Sequence, residues 1–256
     1  MNYIINKIIM KLNKKSLVVI AFVLLSVSCK KNYEPIKVSA NDFHNTVNNV
    51  IDIMIHDIFS PPVASRVFVY PDIAAYEIIA QNNKDYKSLK GQINSLGEIP
   101  KPDSSKKVNY QLAAFMAHLN MSKRLIFSEE KLEVYQDSIY AVWEKINPIE
   151  FQDSKDYALE VTDFIAKWMD ADNYGQTRTM PKYTVDTQEE GRWQPTPPAY
   201  MDGLEPHWNK IRTFVLDSAS QFKPIPPPKF SMDENSDFYK ELKEVYMLSK
   251  KMEAEG

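Results

Sequence analysis

The sequence predicts an all-α fold, an antiparallel helical bundle that carries one long ordered loop rich in Trp and Pro. Three observations predict it. Apolar residues recur at three- and four-residue intervals along several separate stretches, the spacing that lines one face of a helix. Only six Gly occur among the 256 residues, too few for a Gly-rich β architecture. One long stretch then abandons helical spacing and gathers stiff residues: "GRWQPTPPAYMDGLEPHW", Gly191 to Trp208, holds two of the four Trp and four of the sixteen Pro. With 44% hydrophobic and 25% charged residues, the chain has ordinary globular composition and enough length to bury a core.

The first helix follows from Val47, Val50, Ile51, Met54, Ile55 and Ile58, a single stripe with Asp42 as its expected N-cap. Pro61 and Pro62 end it and open a second, because Pro is tolerated in a first turn. Pro71 is expected to kink or interrupt that second helix, whose Ala64, Ala74, Ala75 and Ala80 permit a close neighbour. Residues 82–105, rich in Lys, Asn, Gly and Pro, read as a linker. A third helix spans about 106–127, with Val108, Leu112, Phe115 and Leu119 on one face. Ser128 is the expected cap of a fourth, with Glu129 and Glu130 complementing its dipole. Its stripe is Leu132, Tyr135, Ile139, Val142 and Ile146, and Pro148 stops it. A fifth runs over about 151–169, with Ala158, Val161, Ile165 and Trp168 inward. Residues 170–228 are mostly irregular, with one short helix expected over 206–216. An irregular stretch of that length is either functional or disordered, and its aromatic content argues for order. Ser236 caps a last helix over about 237–254. There is no internal repeat, which disfavours a solenoid.

Residues 1–28 read as an export signal. Lys7, Lys11, Lys14 and Lys15 precede the apolar run Leu17 to Leu25, and small residues lead to Cys29. Translation starts at Met1 or at Met10, the latter giving a more usual signal length. Cys29 is the sole Cys, so no intramolecular disulfide forms and packing holds the core. Its position resembles a bacterial lipoprotein box, with Leu25 one place further back than usual. Lipidation at Cys29 would anchor the chain stably; the alternative is ordinary cleavage with Cys29 an incidental thiol. Residues 29–40 then form a tether, and 41–256 the helical domain. No acidic residue follows Cys29 closely, which points to the periplasmic side of the outer membrane.

The whole chain carries a net charge of −3, and removing the signal takes four Lys and no acid. No basic patch remains for a nucleic-acid partner. Neither G-x-G-x-x-G nor a P-loop occurs. His44, His56 and His118 have no His one helical turn away, so none starts a helical metal pair, and they read as structural. "DADNYG" (Asp170 to Gly175) begins like a calcium loop but has Pro181 where the twelfth-position acid belongs; a helix end running into a Gly turn explains it. No G-x-S-x-G elbow supports a Ser-His-Asp triad. Glu189 with Glu190, or Asp202 with Glu205, would suit glycoside chemistry only as positioned pairs. The strongest candidates are Trp193, His207, Trp208 and Arg212, as the lining of a pocket or as the pins of an ordered loop.

Two stretches carry a resemblance. "FSPPVASRVFVYPDIAAYEIIA" resembles the early helices of bacterial vanadium-dependent haloperoxidase-like proteins, of the type 2 phosphatidic acid phosphatase superfamily. "GRWQPTPPAYMDGLEPHWNKIRTFVL" resembles the same family's Trp-x-Pro-Thr-Pro-Pro and Pro-His-Trp segment, and "DFYKELKEVYMLSKK" the helix that follows it. The resemblance implies an all-α fold with a phosphate or vanadate site between helices, and either phosphate-ester hydrolysis through a phospho-histidine or vanadate-dependent halide oxidation. It also implies a catalytic set of Lys-x₆-Arg-Pro, Pro-Ser-Gly-His and Ser-Arg-x₅-His-x₃-Asp, none of which occurs in this sequence. The chain therefore reads as the family's N-terminal helical part, lying before the catalytic motifs and inactive as a phosphatase or haloperoxidase by itself. No residue here inherits a catalytic or metal-binding role, and vanadate or phosphate is expected only with the catalytic half. On this reading the Trp/Pro loop borders the mouth of the anion pocket. The rival readings are an envelope lipoprotein that binds glycans through exposed aromatics, and a decayed, inactive gene product.

Overall fold

A computed structural model describes residues 32–255. The chain divides into two units, Met1–Pro35 and Ile36–Gly256, and every described helix belongs to the second. The expected signal peptide and Cys29 lie outside the described residues. Among the described residues no helix is long and apolar enough to cross a membrane.

The fold is all-α. Seven α-helices and one short 3₁₀ turn are described: α1 Ala40–His56, α2 Pro61–Asn82, α3 Tyr110–Lys123, α4 Glu129–Ile146, α5 Pro148–Asp170, α6 Tyr174–Thr177, the 3₁₀ turn Trp208–Lys210, and α7 Asp237–Glu255. The only β pairing among the described residues is an isolated bridge between Lys90 and Ile93.

The cap of α1 is Ser39, not Asp42. Asp42 is the third helical residue and closes a reciprocal capping box: its amide donates to Ser39 Oγ at 3.2 Å while its carboxylate accepts the Ser39 N–H at 2.8 Å. The buried face is Thr46, Val50, Ile53 and Met54, rotated from the expected stripe. Thr46 can be inside because its hydroxyl donates to the Asp42 carbonyl at 3.1 Å, whereas Ile55 and Ile58 face solvent. Ile58 also has φ 56°, a left-handed conformation that is unusual for a β-branched residue.

Pro71 does not interrupt α2. The helix runs through it for 22 residues with Pro71 buried. Val67, Tyr70, Ile73, Ala74 and Ile78 of the same helix are buried with it, and that burial outweighs the loss of one backbone donor. α3 is shorter than the sequence suggested and is capped by Asn109, whose side chain accepts the Leu112 N–H at 3.1 Å. Every residue from Leu112 to Leu119 is buried. α3 is the central rod, flanked by α2 and α5. Each large apolar side chain fully withdrawn from water there contributes about 1.5–3 kcal/mol relative to exposure.

Ser128 precedes α4 without capping it through its side chain. Its hydroxyl donates to Asp57 Oδ1 at 2.5 Å, and its N–H and that of Phe127 donate to Asp57 Oδ2 at 3.0 and 2.9 Å. The residue after α1 thereby holds the start of α4. The α4 core face is Leu132, Tyr140 and Trp143, and Val142 is exposed. Asn147 ends α4 and caps α5, where Pro148 takes the first turn. The expected inward residues of α5, Ala158, Val161, Ile165 and Trp168, are all buried.

The segment 83–109 is more than a linker, because Leu96 and Ile99 are buried. Glu77, fully buried on α2, organises it by accepting the Ser88 hydroxyl at 2.8 Å and the Leu89 N–H at 2.5 Å. The core ends at Met169: beyond it no large apolar side chain is buried.

Candidate functional site: the clamp under the Trp/Pro loop

The irregular segment after α5 is fastened to the bundle by one carboxylate. Asp172 has a side chain only 1% exposed. Its Oδ2 accepts from Arg66 Nη2 at 2.7 Å, Arg66 Nε at 3.2 Å and the Tyr70 hydroxyl at 2.6 Å. Its Oδ1 accepts the Tyr174 N–H at 2.7 Å, which starts α6. Arg66 and Tyr70 are four residues apart on α2 and so share a face. Asn173, not a Gly, takes the left-handed conformation at this turn, with φ 76°. The "DADNYG" stretch is thus an ion-pair anchor, and among the described residues no acid or His cluster could hold a metal ion.

Arg212 is the second cation of the cluster. Its N–H donates to the Asp172 carbonyl at 2.8 Å. Its Nη1 donates to the Trp168 carbonyl at 2.8 Å, and its guanidinium carbon lies 4.2 Å from the Trp168 ring centre. Arg66 lies 3.9 Å from the Tyr174 ring centre. Both guanidiniums therefore lie against aromatic faces, where cation–π attraction adds to their hydrogen bonds. Asn94 holds the loop further on, with Nδ2 within reach of Thr213 and Leu216 and its N–H donating to the Phe214 carbonyl at 2.7 Å. Trp168 Nε1 donates to the Asn94 carbonyl at 3.1 Å.

The electrostatics fit a clamp. Burial raises the Tyr70 phenol pKa, its hydrogen bond to Asp172 and that carboxylate's charge raise it further, and the charges of Arg212 and Arg66 only partly oppose them. Tyr70 thus remains a neutral donor. The cleft above the cluster encloses about 580 Å³ and is lined by Arg66, Tyr70, Asp172, Trp208, Arg212 and Phe214 among others.

Of the four residues singled out from the sequence, Trp208 and Arg212 share this cleft. His207 lines a different hollow of about 260 Å³ with Arg178 and Tyr183, and its Nε2–H donates to the Pro181 carbonyl at 2.7 Å. Trp193 lines a third, of about 520 Å³, with Pro197, Pro198 and Asp202, and its ring meets Tyr183 edge-on at 5.7 Å. The expected helix over 206–216 is only the 3₁₀ turn Trp208–Lys210, because the backbone there pairs with Asp172 and Asn94 instead. Glu205 pairs with Arg178, and Glu189 with Arg192, so neither is a free carboxylate. His44 and His56 are exposed. His118 is buried with Nε2 3.4 Å from Asp72, and its Nδ1 has no hydrogen-bond partner.

Sequence reasoning missed Arg66, Tyr70, Glu77 and Asp172. A signal was present. Arg66 and Glu77 are the only charged residues besides Asp72 in the otherwise apolar Val63–Ala80 run, and a charge in such a run requires a partner.

A solved structure described as the crystal structure of the first bacterial vanadium-dependent iodoperoxidase is similar to this chain at 61% identity, over 88% of this chain and 54% of that one, with a TM-score of 0.85. The chain belongs to the vanadium haloperoxidase-like superfamily. It spans about half the length of the iodoperoxidase it matches. No protein-family model and no curated protein matches the sequence.

The similar iodoperoxidase is vanadium-dependent, and vanadate, a highly charged oxyanion, needs several free donors converging on one cavity. The cleft over the clamp does not meet that need: Arg66 is committed to Asp172, Arg212 to the Trp168 carbonyl with only its Nε left without a partner, and no His lines the cleft. A superfamily member's vanadate is not held by these residues alone.

Proposed function

We propose that this chain is the N-terminal helical portion of a vanadium-dependent haloperoxidase, with iodide as the halide. The observation that carries the reading is the 61% identity to a bacterial vanadium-dependent iodoperoxidase over 88% of this chain. Identity at that level across nearly the whole chain favours halide oxidation over phosphate-ester hydrolysis. The role of this portion is structural: α2, α3 and α5 form a rigid support, and the Asp172 clamp presents the Trp/Pro loop toward the catalytic half, where it borders the pocket mouth. By itself the portion is inactive, because the Lys-x₆-Arg-Pro, Pro-Ser-Gly-His and Ser-Arg-x₅-His motifs are absent from it. We further propose that an exported form is lipidated at Cys29 and held at the cell envelope, on the periplasmic side of the outer membrane.

The test is iodide oxidation by peroxide with and without vanadate. The chain alone should give no vanadate-dependent turnover. A chimera that places residues 32–255 in front of the uncovered part of the iodoperoxidase should give it. Vanadate-dependent turnover by the chain alone, or a well-folded chimera without any, would overturn the reading. Lipidation is read separately: metabolic labelling with a radioactive fatty acid should mark the wild-type protein and not Cys29→Ser.

A further inference from the structure

The chain is seated on the bundle from Ile36 onward. Ile36 is only 3% exposed. Its N–H donates to Glu150 Oε2 at 2.8 Å, and its carbonyl accepts from Asn109 Nδ2 at 2.8 Å. The same Nδ2 reaches Glu150 Oε1 at 3.2 Å, and Asn147 Nδ2 reaches Glu150 Oε2 at 3.2 Å. One carboxylate in the first turn of α5 thus latches the incoming backbone beside the cap of α3 and the end of α4. Val38 then packs on the core.

The latch fixes a length and a direction. The seven residues from Cys29 to Pro35 span at most about 25 Å when fully extended. The Asp172 clamp lies past the opposite end of α5, and α5 has 23 residues, about 34 Å at the helical rise. A molecule held at Cys29 therefore keeps its latch end within reach of the attachment point and its clamp end beyond that reach. The latch end presents Ile146 and Ile149, 38% and 50% exposed, on either side of Asn147. Lys37, Lys145 and Glu144 are exposed there as well. That charge is mixed, so the short tether, not charge, selects this end.

We propose that the end of the bundle built by Ile36, Asn109 and Glu150 is the membrane-facing surface of the protein, set against phospholipid headgroups by the tether from Cys29, with the Asp172 clamp and the loop it fastens directed away from the bilayer. The occupant of this surface is the bilayer that holds the chain's own anchor. The inference rests on the reading of Cys29 as the lipidated residue. Its consequence is access: a pocket mouth bordered by the Trp/Pro loop opens to the aqueous side, where iodide and peroxide arrive without crossing the headgroup layer.

The experiment sets the full chain, in its lipidated form, in vesicles of phosphatidylethanolamine and phosphatidylglycerol. A water-soluble reagent then acylates exposed lysines, and mass spectrometry reads the rate at each. Lys145 reports the latch end. Lys210, whose carbonyl accepts from Asn173 Nδ2 at 3.0 Å, reports the clamp end, and both are exposed. Relative to Cys29→Ser in solution, Lys145 should react at least about threefold more slowly, because headgroups shield it, and Lys210 at an unchanged rate. Equal slowing of both, as in a molecule lying on its side, overturns the inference, as does slowing of Lys210 alone or of neither. A Gly/Ser spacer between Pro35 and Ile36 leaves the latch intact and lengthens the tether, and Lys145 should then recover its rate. Protection of Lys145 that survives the spacer overturns the inference too, since the tether would not be what selects this end. Lipidation is scored apart, by fatty-acid labelling. If Cys29 takes no label, the lipidation reading fails, yet coupling the Cys29 thiol to a maleimide-bearing phospholipid recreates the same attachment point, and the two lysine rates still decide the orientation.

Discussion

Arg212 contacts Trp168 twice. Its guanidinium carbon lies 4.2 Å from the ring centre, and its Nη1 donates to that residue's own carbonyl at 2.8 Å. One side chain thereby supplies a donor for an orphan carbonyl at the end of α5 and seals the indole from solvent. The loop from 203 to 216 depends on this contact, because few of its own side chains are buried.

Arg212→Met keeps the apolar stem and removes the donors. It should cost about 1.5–3 kcal/mol, the range for hydrogen bonds that involve a charged group, and the loss should be local. Hydrogen exchange should rise over residues 203–216 and remain unchanged in α3. Arg212→Lys should not restore protection, since a point charge cannot both bond the carbonyl and cover the ring. Equal loosening of α3 would show that the contact is not local.

Asp172→Asn should be worse. It leaves Arg66, whose side chain is 8% exposed, without a counter-charge. Breaking one partner of a buried pair costs about 3–5 kcal/mol. Replacing both, as Arg66→Met with Asp172→Leu, should recover only part of that loss: the stranded charge is gone, but the Tyr70 hydroxyl and the Tyr174 N–H lose their acceptor. Urea unfolding of Arg66→Met, Asp172→Leu and the double gives the coupling. Additive losses would mean that the two residues do not act as a unit.

How much of this was legible in the sequence depended on periodicity. α5 was read correctly because Ala158, Val161, Ile165 and Trp168 alternate with polar residues on the opposite face. α3 was placed but its ends were not, because it is buried nearly all round and a helix without a polar face has no stripe to delimit it. The α1 stripe was placed in part: Val50 and Met54 are buried and Ile51 packs on the core, but the true face is rotated toward Thr46, which counts as polar although its hydroxyl is satisfied by the preceding turn. The clamp was half legible. Arg66 stands out as a charge in an apolar run, but Asp172 looks like a surface charge, and only tertiary structure brings the two together across 106 residues of chain. Trp208 and Arg212 stand out through a concentration of bulk and charge in a loop, a compositional signal that survives without periodicity.

Tyr140 gives a prediction of opposite sign. It is buried against Phe151 and Trp143, and its hydroxyl has no hydrogen-bond partner. Tyr140→Phe should stabilise the protein by up to about 1 kcal/mol at neutral pH, by removing an unsatisfied buried group. Burial also raises its pKa above the ordinary value. The folded state therefore binds the phenolic proton more tightly than the unfolded state. That stability is complete below about pH 10, the unfolded value, and is lost as pH rises from there through the folded value. Thermal melts should show a shallower alkaline decline for Tyr140→Phe than for the wild type. A lower melting temperature at neutral pH would show that the hydroxyl has a partner after all.

The link between α1 and α4 should set part of the acid response. Burial pushes the Asp57 carboxyl up, but the hydrogen bonds from the Ser128 hydroxyl, the Ser128 N–H and the Phe127 N–H, with the charge of His56, outweigh it and hold the pKa below its ordinary value. A depressed carboxylate contributes stability that is present above the unfolded pKa, about 3.9, and lost as pH falls through the lower folded value. Asp57→Asn preserves shape and one acceptor but not the charge. It should be less stable than the wild type at pH 7, and the gap should narrow below about pH 4, where the wild type becomes protonated. Because Asp57 is partly exposed, solvent screening keeps the gap small, so it is best followed by chemical denaturation at closely spaced pH values. A gap that stays constant from neutral pH into acid would mean that the Asp57 charge does not hold the start of α4, and that the three donors are satisfied equally well by a neutral amide.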